Sequence, residues 1–283
     1  MVGTMNEWYD EVFSDRLRFG LKVKRFLYSG RSPFQKIEVF DTYQFGRALA
    51  LDSIYMTSEG EEYFYHEMLV HPALTTAPQI KRVLVIGGGD GGTVREVLRY
   101  KEVEKVVMVE IDPMVVEVCR KYLASIGTAW DDPRLELKFE DGVAFAQEAN
   151  VDPFDVILLD GSDPVGPAEG LFSEAFYRAC HRLLTPNGVF ALQSESPVLF
   201  RDVFVSIIKT LRDIFPLVRP YFGTVPIYSA GMWSWTFASQ CVDPLEIIDE
   251  RVKMIESSTR YYNHAIHKAA FALPNDIKKE LEG

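Results

Sequence analysis

The stretch Val83-Leu84-Val85-Ile86-Gly87-Gly88-Gly89-Asp90-Gly91-Gly92 decides the fold. Its first four residues form an unbroken aliphatic run, the pattern of a strand buried on both faces. The glycines that follow allow backbone to approach a ligand closely, and the helix opening at Thr93 presents its first amides there. A glycine run alone is weak, because many tight turns look the same. Its surroundings strengthen it. Lys105–Glu110 (KVVMVE) reads as the next strand, and Glu110 ends it 23 residues after Gly87, the spacing at which an acid grips ribose hydroxyls. Arg134–Phe139 reads as a third strand, and Asp141-Gly142 follow it, where a carboxylate can accept from an adenine amino group.

The alternation continues. Phe154–Asp160 (FDVILLD) is a fourth strand, followed by a Gly/Pro-rich loop and a helix from Ser173. Residues 188–195 (GVFALQSE) form a fifth strand, Leu199–Phe215 the next helix, and 217–224 and 232–239 two late strands. Helices are expected at Pro113–Leu123 and near 142–149. Apolar strands buried on both faces and separated by helices predict an α/β fold with a doubly wound parallel sheet. The two late strands favour a Rossmann-like seven-stranded S-adenosylmethionine-dependent methyltransferase-type sheet over a six-stranded dehydrogenase one. Asp90 inside the glycine turn argues against a pyrophosphate there and for a ligand carrying positive charge, such as a sulfonium nucleoside.

Upstream, Leu21–Tyr28, Phe34–Phe40 and Gly46–Leu51 alternate as strands, so residues 1–60 are expected to be a small N-terminal antiparallel β domain of three or four strands. A helical pattern then runs from Ser58 through Leu69, with Pro72 and Pro78 ending it. Residues 61–283 are expected to form the catalytic, nucleoside-binding domain.

Charge follows this division. The formal net charge is −11, which excludes a sequence-independent nucleic-acid binder needing a basic face. Residues 1–60 carry eight basic and eight acidic side chains, so residues 61–283 carry the whole excess. From Phe139 to Tyr177 there is no Lys or Arg but nine Asp or Glu, which is either a solvated face or an anionic pocket. No apolar run reaches membrane-span length, and the start lacks the blocks of a signal peptide, so no membrane partner and a cytoplasmic location are expected. Three cysteines, at 119, 180 and 241, read as core thiols in a reducing compartment. No HExxH or histidine cluster supports a metal.

The fourth strand delivers Asp160-Gly161-Ser162-Asp163-Pro164-Val165-Gly166-Pro167 at its carboxyl end. Two carboxylates three residues apart suit a general base and a cationic acceptor; the plainer alternative is an Asx turn before Pro164. The Gly/Pro-rich stretch 161–170 suits a lid.

With these residues in place, the sequence resembles the spermidine synthase family. The resemblance rests on GGGDGG (87–92), VEID (109–112), DGSDPVGP (160–167), YHEM (65–68) and HKAAFALP (267–274), which fall in order along nearly the whole chain. The family transfers an aminopropyl group from decarboxylated S-adenosylmethionine to a diamine, usually putrescine, releasing methylthioadenosine. The resemblance implies Asp160 as general base, with Asp90 and Asp163 as anchors of the cationic nitrogens. It implies Glu110 on the ribose, Asp141 and Gly142 on the adenine, and Gln35, from the second N-terminal strand, reaching the nucleoside. Gly87 belongs to the nucleoside turn, and Pro167 is the lid contact. Tyr65, His66, Gly161, Ser162 and Tyr228 line the diamine channel. It further implies a homodimer or homotetramer, with the donor as co-substrate and no permanently bound cofactor. The sequence departs from the family around the channel tyrosine, with Ile227, Ser229 and Ala230-Gly231 for the usual Pro-Thr-Tyr-Pro-Ser-Gly pattern, and has His66 where some members carry glutamine. These departures bear on the acceptor, with cadaverine and agmatine as alternatives to putrescine. The rival classes are a small-molecule N-methyltransferase, which needs a cation for the donor carboxylate where Asp90 stands, and a non-catalytic binding module, which would lack Asp160 and Asp163.

Overall fold

A computed structural model describes residues 7–148, 150–164, 166–228 and 231–282. Five antiparallel strands come first: β1 (Glu7–Val12), β2 (Arg18–Arg31), β3 (Lys36–Thr42), β4 (Arg47–Leu51) and β5 (Ile54–Ser58), paired in chain order. The sequence reading missed β1 and β5. Strand β1 (EWYDEV) is a largely exposed edge strand whose residues do not alternate between apolar and polar, and β5 (IYMTS) is only five residues long. Both faces of the sheet are covered. Ile37, Val39 and Leu49 pack on Val115, Val118 and Leu123, while Phe40, Ala48 and Tyr55 join the main core.

The second sheet has seven strands in the order β11-β12-β10-β9-β6-β7-β8. They are β6 (Arg82–Gly87), β7 (Lys105–Glu110), β8 (Leu135–Phe139), β9 (Phe154–Asp160), β10 (Leu184–Gln193), β11 (Leu217–Thr224) and β12 (Met232–Ser239). Strands β10, β9, β6, β7 and β8 are parallel, whereas β12 pairs antiparallel with β10 and β11 antiparallel with β12, so the sheet is mixed and not wholly parallel as the strand–helix alternation predicts. The chain moves outward from β6 through β7 to β8, then returns to β9 on the other side of β6. The switch point therefore lies between β6 and β9, where a crevice must open at the strand carboxyl ends. The helices between are α1 (Tyr63–Leu74), α2 (Gly92–Leu98), α3 (Pro113–Tyr122), α4 (Gly142–Glu148), α5 (Glu174–Leu183) and α6 (Arg201–Arg212). Helices α7 (Asp249–Ile255), α8 (His264–Ala270) and α9 (Asn275–Glu282) close the chain. Ser173 caps α5 as its sequence position suggested, accepting from the Phe176 N–H at 3.2 Å.

Pro72 does not end α1; the helix runs through it to Leu74. Proline removes the N–H that would bond the Met68 carbonyl. The Tyr221 hydroxyl donates to that carbonyl instead, at 2.9 Å, so the buried acceptor is satisfied from β11. The helix end is held by Arg251, whose guanidinium donates to the carbonyls of Leu74 and Ala77 and pairs with Glu102. Of the cysteines, 119 and 180 are buried, but Cys241 is exposed. No helix among the described residues is long and apolar enough to cross a membrane.

Candidate active site

Gly87, at the end of β6, is in register with Asp160 at the end of β9. Gly87, Gly88 and Gly91 all have positive φ, near 80°, where a side chain would be strained. A Cβ on Gly87 would also strike the Asp160 carbonyl. The turn thus brings Asp90 and Asp160 to one crevice. The crevice is a cleft enclosing about 1430 Å³ of space with its open mouth included. Its wall carries eight carboxyl groups: Glu11, Glu61, Glu62, Asp90, Glu110, Asp141, Asp160 and Asp163. Among the described residues that line it there is no lysine or arginine, and His66 is the only basic side chain.

One half of the cleft is built around Glu110, Asp112 and Asp141. Glu110 accepts the Asp112 N–H on Oε1 at 2.9 Å, and Oε2 lies beneath Gly89, where a Cβ would come to 3.0 Å of it. Burial, with Asp112 and Asp160 nearby, pushes its carboxyl up to about 7. Asp112 caps α3 and accepts from the Ser32 hydroxyl at 2.6 Å and the Gln35 amide at 3.0 Å. Gln35 therefore lines the cleft from just before β3, the third N-terminal strand and not the second. Asp141 uses Oδ1 on the Val143 N–H, at 2.8 Å, and lines the cleft beside Gly142.

The other half gathers the remaining predicted residues. Asp160 Oδ2 accepts from the Thr93 hydroxyl at 2.6 Å. Burial raises its carboxyl above the ordinary range, opposed by His66 and reinforced by Asp90. Asp90 accepts the Gly92 N–H at 2.8 Å and faces His66 Nε2 at 3.3 Å. Burial works against its charge, but His66, the Gly92 N–H and Arg95 together hold the carboxyl low. His66, Asp90 and Asp160 present ligand-type atoms all within 4.8 Å of one another. Both imidazole nitrogens already face carboxylates, however, since Nδ1 lies 2.7 Å from Glu62, so no ring nitrogen is free for a metal. Tyr65 stands edge-on to Tyr228, ring centroids 6.0 Å apart, and Tyr228 donates its hydroxyl to the Met56 carbonyl at 2.8 Å. Gly161, Ser162 and Asp163 line the same end.

The loop after Asp160 is not wholly irregular, since Gly166–Phe172 forms a 3-10 turn. Pro167 lies in it, but its side chain, like Val165, Ser229 and Ala230, falls outside the described residues. Ala168 and Leu171 from this turn border the cleft.

Four acids escaped the sequence reading: Glu61 and Glu62, which read only as the opening of a helix, and Glu11 and Glu195. Glu195 was placed at the end of a strand, but β10 stops at Gln193 and Glu195 has φ 68°, which turns it inward to face Asp163. Burial first, then the Asp163 charge, raises the Glu195 carboxyl well above its usual range, and burial raises Asp163 as well. Glu11, from the missed strand β1, is raised to about 7 by burial, with Asp163 adding to it. The signal for Glu195 was available: it follows a parallel strand's carboxyl end, as Asp160 does. Glu11 carries no such signal.

Comparison with known proteins agrees with this geometry. Residues 62–246 match the family model described as spermine/spermidine synthase domain, and residues 7–59 the spermidine synthase tetramerisation domain. The chain is similar to a polyamine aminopropyltransferase of Prochlorococcus marinus (strain MIT 9313), 47% identical with 98% of each chain covered. A polyamine aminopropyltransferase of Clostridium perfringens (strain ATCC 13124) is 44% identical, with 98% of this chain and 99% of that one covered. Among solved structures, a spermidine synthase in complex with the transition-state analogue AdoDATO superposes with a TM-score of 0.95 at 40% identity, covering 98% of this chain and 96% of that one. Spermidine synthase from Thermotoga maritima gives 0.92 at 40% identity, covering 98% and 95%. With both sheets and the whole cleft inside these matches, the chain belongs to the spermine/spermidine synthase family and is a transferase of the polyamine aminopropyltransferase type.

Proposed function

We propose that this enzyme transfers the aminopropyl group of decarboxylated S-adenosylmethionine to putrescine, giving spermidine and methylthioadenosine. The observation that carries this reading is the cleft wall: eight carboxyl groups, with no lysine or arginine among the described lining residues. A donor with a sulfonium and an ammonium, and an acceptor with two amines, are both polycations and fit that wall; the carboxylate of intact S-adenosylmethionine does not. Residues 1–60 serve as the pairing domain of a homodimer or homotetramer, and residues 61–283 as the catalytic domain.

The donor's adenosine lies along Gln35, Gly87, Glu110, Asp141, Gly142 and the turn holding Pro167, with Glu110 Oε2 accepting from the ribose. The acceptor lies along Tyr65, His66, Gly161, Ser162, Asp163 and Tyr228, its reacting nitrogen between Asp90 and Asp160. That neutral nitrogen attacks the methylene carbon attached to sulfur. The N–C bond forms as the C–S bond breaks, the bonding pair passes to sulfur, and Asp160 takes the surplus proton. Burial makes Asp160 a stronger base than an exposed aspartate. The acceptor's far ammonium reaches toward Asp163, Glu195 and Glu11.

Incubation with putrescine and either donor tests this directly. Spermidine and methylthioadenosine are expected from the decarboxylated donor only; a methylated amine, or no product from either donor, sinks the reading. Light scattering is expected to show a dimer or tetramer, and a monomer at working concentration would remove the pairing role of residues 1–60.

Glu195→Gln tests the far subsite. The native carboxyl keeps a proton that the unfolded chain releases at lower pH. Stability of the free enzyme should therefore fall as pH rises above the ordinary carboxylate range. The variant is expected to melt several degrees above wild type at pH 8 but not at pH 5, while its KM for putrescine rises roughly 10–100-fold. Unchanged KM would remove Glu195 from acceptor binding.

A further inference from the structure

His66 is held between two acids. Its Nδ1 lies 2.7 Å from Glu62 and its Nε2 3.3 Å from Asp90. An ionised carboxylate accepts and cannot donate, so the Glu62 hydrogen bond requires a proton on Nδ1. The Asp90 carboxylate facing Nε2 favours a second proton there, and the ring carrying both is an imidazolium. Arg95 keeps Glu62 ionised, donating from its two terminal nitrogens at 3.0 and 2.8 Å. Burial would drive the ring neutral, but Asp90 and Glu62 together hold its proton affinity well above the ordinary histidine range. The ring rests against Gly92, where a Cβ would collide with it. The groups that face it are Glu61 and Glu62 from the turn just before α1, Tyr65 from α1, Asp90 from the glycine turn and Asp160 from β9, with Arg95 of α2 behind Glu62.

We propose that His66 is a fixed internal cation of the reaction chamber, charged and oriented by Glu62 and Arg95, and that it lowers the proton affinity of the acceptor nitrogen so that this nitrogen enters the reaction unprotonated. This rests on the aminopropyl-transfer reading of the cleft. Two adjacent carboxylates alone would stabilise the ammonium and withhold the lone pair that must attack the carbon. A buried positive charge a few ångströms away offsets one of them. Asp90 and Asp160 still provide one net negative charge to draw the amine in. Glu62 and Arg95 are positioning residues in this scheme, because they act through the imidazole.

The test has two parts. In ligand-free wild type labelled with 15N-histidine, both His66 nitrogens are expected to stay protonated through pH 8; a neutral ring at pH 7 overturns the proposal. In the pH profile of kcat at saturating putrescine, His66→Gln is expected to move the rising limb upward by about one pH unit or more, lowering kcat about tenfold at pH 7 and recovering it at high pH. Glu62→Gln is expected to move the limb the same way by less. A purely structural role would lower kcat equally at every pH, so profiles that keep the wild-type midpoint also overturn the proposal. Wild type that forms no spermidine from the decarboxylated donor defeats the underlying reading instead, and the labelled-histidine result then still decides the charge of the ring.

Discussion

Purified Asp160→Asn is expected to fold as wild type and to turn over on the order of 10²–10⁴-fold more slowly, the usual contribution of a positioned general base. The substitution preserves shape. An asparagine oxygen can still accept from Thr93, whose hydroxyl now meets Oδ2 at 2.6 Å, and the backbone pairing with Gly87 and Gly88 is untouched. Basicity is lost. The acceptor nitrogen must shed a proton as it bonds carbon, and an amide cannot take it. The loss should appear in kcat more than in KM, because Asp90 and Asp163 continue to attract the amine. Wild-type turnover in a folded Asp160→Asn protein would remove the residue from proton transfer. A loss confined to KM would reassign it to binding.

The largest effect on stability is expected at Glu67→Ala. Glu67 neighbours His66 on α1 and is buried. Its Oε1 accepts the Arg260 N–H at 2.8 Å, and its Oε2 accepts the N–H groups of Tyr261 and Tyr262 at 2.8 and 2.7 Å. One carboxylate thus satisfies three consecutive backbone donors in the segment between α7 and α8. That segment places Tyr262, whose hydroxyl bridges Thr75 and His267. Alanine leaves three donors without a partner, a cost of about 4 kcal/mol, and a melting temperature lower by roughly 10 °C for a chain of this size. Glu67→Gln keeps one acceptor oxygen and should lose less. Melting of Glu67→Ala within about 2 °C of wild type would show that water or a relaxed backbone replaces the carboxylate.

The parts of the fold legible in the sequence were those written locally. Val83–Ile86 with its glycines, Glu110 and Asp160 each sit in a strand-to-loop pattern that needs no tertiary knowledge. The strands Leu217–Thr224 and Met232–Ser239 were visible for the same reason. What the sequence hid depends on distant partners. Pro72 reads as a helix end because the rule that proline breaks helices assumes the freed carbonyl stays unpaired, and Tyr221 is more than a hundred residues away. Strand β1 is an edge strand without an apolar alternation, so Glu11 reads as surface, yet folding places it beside Asp163. Glu195 reads as a strand residue; its place just past a parallel strand's carboxyl end is visible in the sequence, but its left-handed backbone, rare outside glycine, is not.

Asp112 has a consequence for how the protein responds to its ligands. It belongs to the framework of the seven-stranded sheet, while its partners Ser32 and Gln35 belong to the N-terminal sheet, and Gln35 also borders the cleft. The cleft is therefore a seam between two bodies rather than a hollow in one. A molecule that touches Gln35 and Glu110 together acts as a rivet across that seam. Its binding free energy adds to the docking of the sheets, so if the donor binds as proposed, its recognition and the mechanical integrity of the enzyme are a single cooperative property.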